Sequence, residues 1–278
     1  MTSEVMSQPH ERGHTLTMNL AFGPMLRDWR ETRRMTQEQL AFTAEVSTRH
    51  VSCVENGRAQ PSREMVLQLA TALDVPLRER NSLLLAAGFA AVYRETDLDA
   101  PELLHVRRAV DFLLARAEPY PAVVIDAAWN LRLANLGAAR MFAALLPRQP
   151  AHLNLMRVLF DPDGLRPLCL DWEPLAATLL ERARREAMLD GPRSPAATVL
   201  REVLARPDLP ACLRQPSLTG PLPLVVPVRM RVGDQTISLF STLTMLGSPA
   251  DVTTQELRIE SFFPADDATE QWIRRLAS

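Results

Sequence analysis

The first regular pattern of apolar positions along the chain begins at Phe22. Phe22, Leu26 and Trp29 stand at positions i, i+4 and i+7, a spacing that places apolar side chains on one face of a helix. Residues 1–17 before it are polar and aperiodic, so we expect a flexible tail there. The pattern predicts a first helix from Phe22 to about Arg33.

The start of a second helix is indicated by three signals at Thr36. The Thr36 hydroxyl can accept from the backbone of Gln39, and the Gln39 side chain can reach back to the Thr36 backbone, which is a capping box. Met35 and Leu40 occupy the positions of a hydrophobic staple. We therefore expect the second helix to begin directly after Thr36.

The same arrangement recurs a short turn later at Ser47. Ser47 is a preferred N-cap residue, and Val46 and Val51 stand at the staple positions. Gly57 can adopt the left-handed conformation that commonly ends a helix. The sequence thus predicts a third helix from Ser47 to about Asn56.

Two further helices follow in the same part of the chain. Pro61 and Ser62 open a fourth helix, and a fifth runs from Leu77 until Gly88 stops it. Residues 18–91 are therefore predicted to form an all-α domain of five helices.

The remainder of the chain mixes helical and strand patterns. Residues 92–104 carry acids and a proline and form the predicted linker, so that a second domain spans 105–278. Gly233 and Asp234 are expected at the turn of a hairpin. The predicted fold class is α+β overall, with a five-stranded antiparallel sheet in the second domain. The expected helices are about 102–117, 137–146, 174–190 and 195–205, and the expected strands are 122–126, 131–135, 224–232, 236–246 and 257–263.

Composition limits the class of protein but does not identify it. The 278 residues are 47% hydrophobic with a net charge of −2, which is enough apolar material for two globular domains. No apolar run is long enough to span a bilayer or resembles a signal peptide, so we expect a cytoplasmic protein without membrane contact. The three cysteines lack metal-site spacing, and neither a metal nor a cofactor is expected.

The segment 36–58 has the caps, core spacing and exposed polar residues of a helix-turn-helix. In this motif the start of the second helix enters the major groove of DNA, where Arg49 can fork to a guanine. Side chains and free amides at helix ends can hold phosphate. Cys53 is a weak base reader and can instead be a partly buried thiol, and Glu55 is expected to pair with an arginine. The predicted DNA-binding residues are Gln37, Ser47, Thr48, Arg49, Ser52, Cys53, Asn56 and Arg58.

The segment MTQEQLAFTAEVSTRHVSCVENGRAQPSREMVLQLATAL resembles the Xre or Cro repressor type of helix-turn-helix. The second half resembles the MmyB-like subgroup through EPYPAVVIDAAWNLRLAN at 118–135 and DVTTQELRIESFFPADDATE at 251–270. The resemblance implies a PAS-like C-terminal domain that binds a small hydrophobic ligand such as a fatty acid. Glu45 departs from the pattern, which usually has glycine in the turn; a left-handed Glu45 would cost about 1 kcal/mol.

A sheet packed under helices can enclose an apolar cavity with few polar anchors. For each candidate lining residue taken singly, ordinary core is the favoured explanation, since apolar faces of strands and helices are buried by default. Arg132 is a further candidate for contact with a polar head group. The predicted ligand-binding residues are Val124, Leu133, Asn135, Phe142, Arg229, Phe240, Thr242 and Phe262.

Three interpretations of the second domain remain open on sequence alone. A ligand sensor would regulate a DNA-binding homodimer, because one helix-turn-helix contacts too few bases of a pseudo-palindromic operator. A dimerisation or protein-interaction scaffold would hold no ligand. An enzyme would need a catalytic constellation, but no hydrolase, zinc or nucleotide motif is present, and His105 and His152 lack partners at catalytic spacing. We therefore expect a regulator that is not an enzyme.

Overall fold

Five helices make up the N-terminal domain in the computed structural model, which describes residues 22–146, 153–215 and 227–278 of the chain. The predicted tail at 1–17, His152 and residues 224–226 of the expected strand lie outside the described residues. The helices are α1 Phe22–Thr32, α2 Gln37–Thr43, α3 Thr48–Glu55, α4 Arg63–Ala72 and α5 Leu77–Ala86.

Local capping explains where these helices begin and end. The Thr36 hydroxyl accepts from the Gln39 amide, and the Gln39 side chain accepts from the Thr36 amide, which completes the capping box. Ser47 accepts from the His50 amide at the start of α3. Gly57 follows α3 with φ +70°. These boundaries were predicted from the sequence and are confirmed.

The packing of α1 against α3 depends on a glycine. A Cβ atom on Gly23 would stand 2.5 Å from the Glu55 carbonyl oxygen and 2.7 Å from that of Val54. Only a residue without a side chain allows this approach. The contact fixes the position of α3 on the domain.

The C-terminal domain combines eight helices with one sheet in the described part of the chain. Its five strands are all antiparallel to their neighbours and follow the order β2-β1-β5-β4-β3. The predicted α+β class and five-stranded antiparallel sheet are therefore confirmed. The elements are α6 Leu104–Ala117, β1 Ala122–Ile125, β2 Leu131–Ala134, α7 Leu136–Leu145, α8 Leu155–Phe160, α9 Trp172–Asp190, α10 Pro195–Leu204, α11 Ala211–Arg214, β3 Val228–Val232, β4 Gln235–Met245, α12 Val252–Glu256, β5 Arg258–Pro264 and α13 Asp267–Ala277.

The sheet separates two apolar clusters. Val124 and Ile259 point toward α6 and form a small cluster with Val110 and Leu114 of that helix. The opposite face carries Val123 and Ile125, which pack under α7 to α10 and α13 in the main core. The alternation of side chains along a strand produces this division.

The two domains dock through polar contacts at helix ends. The Leu77 amide at the start of α5 donates to Gln255 Oε1 of α12 at 2.7 Å. Arg33, just after α1, donates to the Leu189 carbonyl at 2.9 Å and the Met188 carbonyl at 3.3 Å near the end of α9. Cations stabilise helix C-termini, so Arg33 suits this position. Among the described residues, no helix is long and apolar enough to cross a membrane.

Candidate functional site

A single buried carboxylate fixes the three helices of the helix-turn-helix region. The Glu55 side chain, at the end of α3, is fully buried. Arg30 of α1 donates to it from Nε at 2.6 Å and from Nη2 at 3.0 Å, and Gln37 of α2 donates at 2.9 Å. Burial by itself raises the pKa of Glu55, but the hydrogen bonds from Arg30 and Gln37 outweigh it and lower the pKa. The predicted intramolecular ion pair of Glu55 is confirmed.

The first turn of α3 presents an open polar surface. Ser47, Thr48 and Arg49 are exposed, and no described residue pairs with the Arg49 guanidinium. Arg58, just beyond α3, is also exposed and without a described partner. These two cations are free to meet an anion or a base edge.

Other predicted DNA-binding residues are engaged within the domain. Asn56 Nδ2 donates to the Ser52 carbonyl at 2.8 Å, while Asn56 Oδ1 accepts from Arg27 Nη2 at 2.9 Å. Ser52 and Cys53 are half-buried. Gln37 is held by Glu55, so its side chain orients α2 as well as facing outward. The eight predicted residues lie at the first turn of α2 and along α3, from Ser47 at its start to Arg58 just beyond its end, and they differ in how far other side chains engage them.

Two features of this region bear on its surface. Glu45, in the turn between α2 and α3, adopts φ +53°, so the left-handed conformation considered for it is present. Phe42 on α2 is 87% exposed, which sequence patterning did not single out. The signal in the sequence is that Phe42 is an apolar residue on the otherwise polar face of α2.

The predicted ligand-binding residues do not line one cavity. Val124 and Leu133 pack in the cluster under α6, whereas Phe142 and Phe262 belong to the main core on the other face of the sheet. Phe240 lies opposite Phe263 on β5 and shares the α6 side of the sheet with Thr242. The grouping of these residues into a single pocket was wrong, because strand alternation and helix placement separate them onto two faces.

Asn135 has a structural role instead of the predicted contact with a ligand. Its Oδ1 accepts from the amides of Ala122 and Ala138, each at 2.9 Å. Its Nδ2 donates to the carbonyls of Tyr120 at 2.9 Å and Leu114 at 3.2 Å. These four bonds use the hydrogen-bonding capacity of the amide and cap α7. No group on Asn135 is left for a ligand.

The two arginines considered as head-group partners are both paired. Arg229 Nη1 lies 2.9 Å from Asp171 Oδ2, and both side chains are about half exposed. Arg132 Nη2 lies 2.9 Å from Asp126 Oδ2. Asp126 also accepts from the amides of Ala128 and Asn130, so it organises the β1–β2 turn. Both arginines lie at the surface, where each pairs with an aspartate.

Two of the described cavities lie where the two domains meet. A groove of about 600 Å³ is lined by charged residues of α5, the linker, α6 and β2, including Arg78, Arg107 and Arg132. A smaller cavity of about 200 Å³ lies between α5 and the ends of α9 and β4. Within the described residues, no group of three or more His, Cys, Asp or Glu side chains has the arrangement of a metal site.

Comparison with known proteins agrees with this division into two domains. Residues 106–276 match the model of the MmyB-like transcription regulator ligand binding domain. The chain belongs to the MmyB-like transcription regulators. Residues 21–83 of this regulator match a helix-turn-helix domain model, so its N-terminal domain is a DNA-binding module.

Individual relatives cover different shares of the regulator. It is 35% identical over 82 residues to the uncharacterized HTH-type transcriptional regulator RghRB of Bacillus subtilis, covering 29% of the chain and 57% of that relative. The chain thus spans little more than half the length of this relative. The restriction-modification controller protein C.AhdI of Aeromonas hydrophila is 41% identical over 21% of the chain and 89% of its own, with a TM-score of 0.21. An RNA-binding light-oxygen-voltage receptor covers 92% of the chain and 61% of its own at 13% identity and a TM-score of 0.28.

Proposed function

We propose that this regulator reads a specific operator sequence through the first turn of α3. The observation that carries the proposal is the pairing state of its arginines. Arg30 is held by Glu55, whereas Arg49 and Arg58 are exposed and unpaired among the described residues. Thr48 and Arg49 then contact base edges, and Arg58 contacts phosphate. Gln37 and Asn56 support the phosphate contacts from their fixed positions.

Selection of bound sequences from a random duplex library tests this assignment. The full chain is expected to enrich one motif, and substituting Arg49 by alanine is expected to erase the preference at one base position. Enrichment of no motif by the full chain would contradict sequence-specific binding.

We further propose that the regulator binds as a homodimer to a pseudo-palindromic operator. One helix-turn-helix offers few base contacts, and two copies double them. The outward face of α6 supports a dimer, because Phe112 is 58% and Leu113 is 42% exposed. Sedimentation of the full chain with and without operator DNA measures the number of copies. A monomer on a complete operator would contradict the proposal.

The C-terminal domain is proposed to be a PAS-like sensor of a small hydrophobic ligand such as a fatty acid. Its antiparallel sheet lies between helices with a largely aliphatic core, which favours an acyl chain over a polar metabolite. Native mass spectrometry and lipid extraction of the purified chain test this. Retention of an acyl chain supports the sensor, whereas an empty protein supports a scaffold that only dimerises.

A regulatory role without catalysis is the remaining part of the proposal. His105 is exposed on α6 and has no described partner, so no general base is assembled around it. Its replacement by alanine is expected to leave DNA binding and ligand retention unchanged. Loss of a measurable turnover in that variant would favour an enzyme.

A further inference from the structure

The cavity of about 200 Å³ between the domains contains a buried carboxylate that no described residue satisfies. Glu79 of α5 is only 6% exposed and lines this cavity. Among the described residues, it has neither a hydrogen bond nor an ion pair. A buried carboxylate without a partner is unfavourable, so this group calls for a proton or a cation.

A second carboxylate faces the same space from the other domain. Asp190, at the end of α9, lines the cavity and has only a 3.5 Å ion pair, from Arg258 Nη2. Burial raises the pKa of Asp190 to about 6 and also raises the pKa of Glu79. The charged groups that act on Glu79 or Asp190 from the surrounding elements are Arg33, Arg78, Glu186, Glu256, Arg193 and Arg258.

Two arginines that line the cavity already pair with other carboxylates. Arg78 donates to Glu256 at 2.6 and 3.0 Å and also to Glu95. Arg258 lies 2.9 Å from Glu186. Both guanidinium groups therefore already face other carboxylates, and Arg193, which also acts on Glu79, makes a 3.8 Å ion pair with Asp28 and no described hydrogen bond to Glu79.

The remaining wall of the cavity combines an apolar part with the polar or charged residues Arg78, Ser194, Gln255, Glu256 and Arg258. The apolar part beside two carboxylates suits a ligand with a cationic end and a short aliphatic body. A volume of about 200 Å³ is several times the roughly 30 Å³ that one water occupies in the liquid. A metal ion is disfavoured, since the described residues hold no metal-type cluster. The apolar lining consists of Pro76, Ala127, Pro195 and Met245.

We propose that this interdomain cavity is a binding site for a small primary amine, whose ammonium group donates to Glu79 and Asp190. Glu79 comes from the N-terminal domain and Asp190 from the C-terminal domain, so the bound amine connects the two. An amine therefore stabilises the docked arrangement of the domains. This site is distinct from any pocket for a hydrophobic ligand.

Thermal unfolding and calorimetry of the full chain with n-butylammonium chloride test the proposal. At pH 7.5 the amine is expected to raise Tm and to bind measurably. Tetramethylammonium has no N–H donor, and butyrate carries the wrong charge, so neither is expected to act at the same ionic strength. Affinity is also expected to fall as pH drops below about 6, because Asp190 then takes up a proton.

Glu79→Gln is the deciding variant. It removes the charge with little change of shape, and it is expected to fold at least as stably as the wild type while binding the amine about tenfold more weakly or worse. Asp190→Asn gives the same test from the other domain. Glu102→Gln changes an exposed carboxylate outside this cavity and is expected to bind normally.

Three results would overturn the proposal. The first is an unchanged Tm at tens of millimolar amine, which would mean that the cavity holds water only. The second is equal amine binding by wild type and Glu79→Gln. The third is equal stabilisation by magnesium or calcium chloride, which would indicate a metal site. None of these measurements involves DNA or lipid, so their failure is separate from failure of the proposed regulatory function.

Discussion

Arg30 Nε lies 2.6 Å from Glu55 Oε1, and the pair joins the first and third helices of the DNA-binding domain. The Glu55 carboxylate is fully buried, and the Arg30 side chain is 11% exposed. Arg30 also donates to the Met35 carbonyl at 2.9 Å, next to the capping box of α2. One ion pair thus sets the angle at which α3 is presented to DNA.

Removal of Glu55 is expected to destabilise the DNA-binding domain strongly. Glu55→Ala leaves the Arg30 guanidinium without its buried partner and should lower the free energy of unfolding by about 3 kcal/mol. Glu31→Ala is the matched control, because Glu31 is 62% exposed and 3.7 Å from Arg30. Its effect should stay within about 0.5 kcal/mol. Urea unfolding of the three proteins measures both values, and equal losses would contradict a special role for Glu55.

Glu55 also contributes to the acid sensitivity of the domain. Its pKa is lower in the folded protein than its ordinary value of 4.5. The stabilisation is therefore complete above that value and is lost as pH falls through the lowered pKa. Glu55→Gln should flatten the dependence of stability on pH in this acidic range. An unchanged slope of stability against pH would show that the Arg30–Glu55 ion pair adds little to this dependence.

Asp190 is expected to act in the opposite direction. Its pKa is raised to about 6 from 3.8, chiefly by burial, so the folded state favours its protonated form. The contribution of Asp190 to the stability of the folded protein is most favourable below about pH 4 and is lost as pH rises through about 6. Asp190→Asn should therefore raise Tm at pH 7.5, with a smaller difference at pH 4. Asp234→Asn, in the exposed β3–β4 turn, is the control.

Arg49 and Arg58 should affect DNA binding in different ways. Arg49→Ala is expected to remove about 1–3 kcal/mol of discrimination at one base position. Arg58→Ala should weaken specific and random DNA alike and reduce the salt slope by about 1. Arg185, exposed on α9 of the other domain, provides the control substitution. Titrations of operator and scrambled duplex at several salt concentrations separate the cases, and identical profiles for both variants would refute the assigned roles.

Substitution by glycine is expected to have opposite effects on stability in the strained turn between α2 and α3 and within α2. Glu45 has φ +53°, which costs a residue with a Cβ atom about 1 kcal/mol. Glu45→Gly should relieve that strain and leave the domain as stable or up to about 1 kcal/mol more stable. Glu38→Gly, within α2, should destabilise it by about 1 kcal/mol. A loss of stability in both variants would mean that the turn carries no strain.

Gly191 allows the two domains to pack closely against each other. It has φ +95°, and a Cβ atom there would lie 2.6 Å from the Trp29 ring of α1. Gly191→Ala should therefore open the interface and increase hydrogen exchange in the linker. Gly57→Ala is the matched control, since Gly57 has φ +70° but nothing within 4 Å. Comparable linker exchange in both variants would show that backbone strain, and not the Trp29 contact, is responsible.

The N-terminal domain was predictable because its signals are local. The caps at Thr36, Ser47 and Ser62 each lie within four residues of the amides they satisfy. Helix α13 was missed although Asp266 caps it and Arg274 and Arg275 stand in its last turn. These signals are also local, and they are typical of a helix that begins after Asp266.

The residues of the C-terminal domain were harder to assign because their surroundings depend on distant partners. Val124 and Phe142 are both apolar and buried, but the register of β1 and the placement of α7 put them in different clusters. Glu79 shows the same limit, since its isolation arises only when Asp190 and the domain interface come together. Periodicity cannot report a contact between residues so far apart in the chain.

The bond from the Leu77 amide to Gln255 has a consequence for engineering. Pro76 supplies no side-chain cap to α5, so the last helix of the DNA-binding domain is completed by a residue of another module. A chimera that joins residues 22–90 to a foreign effector domain inherits an uncapped α5. Transplanting this module therefore requires α12, or a replacement cap designed at position 76, to travel with it.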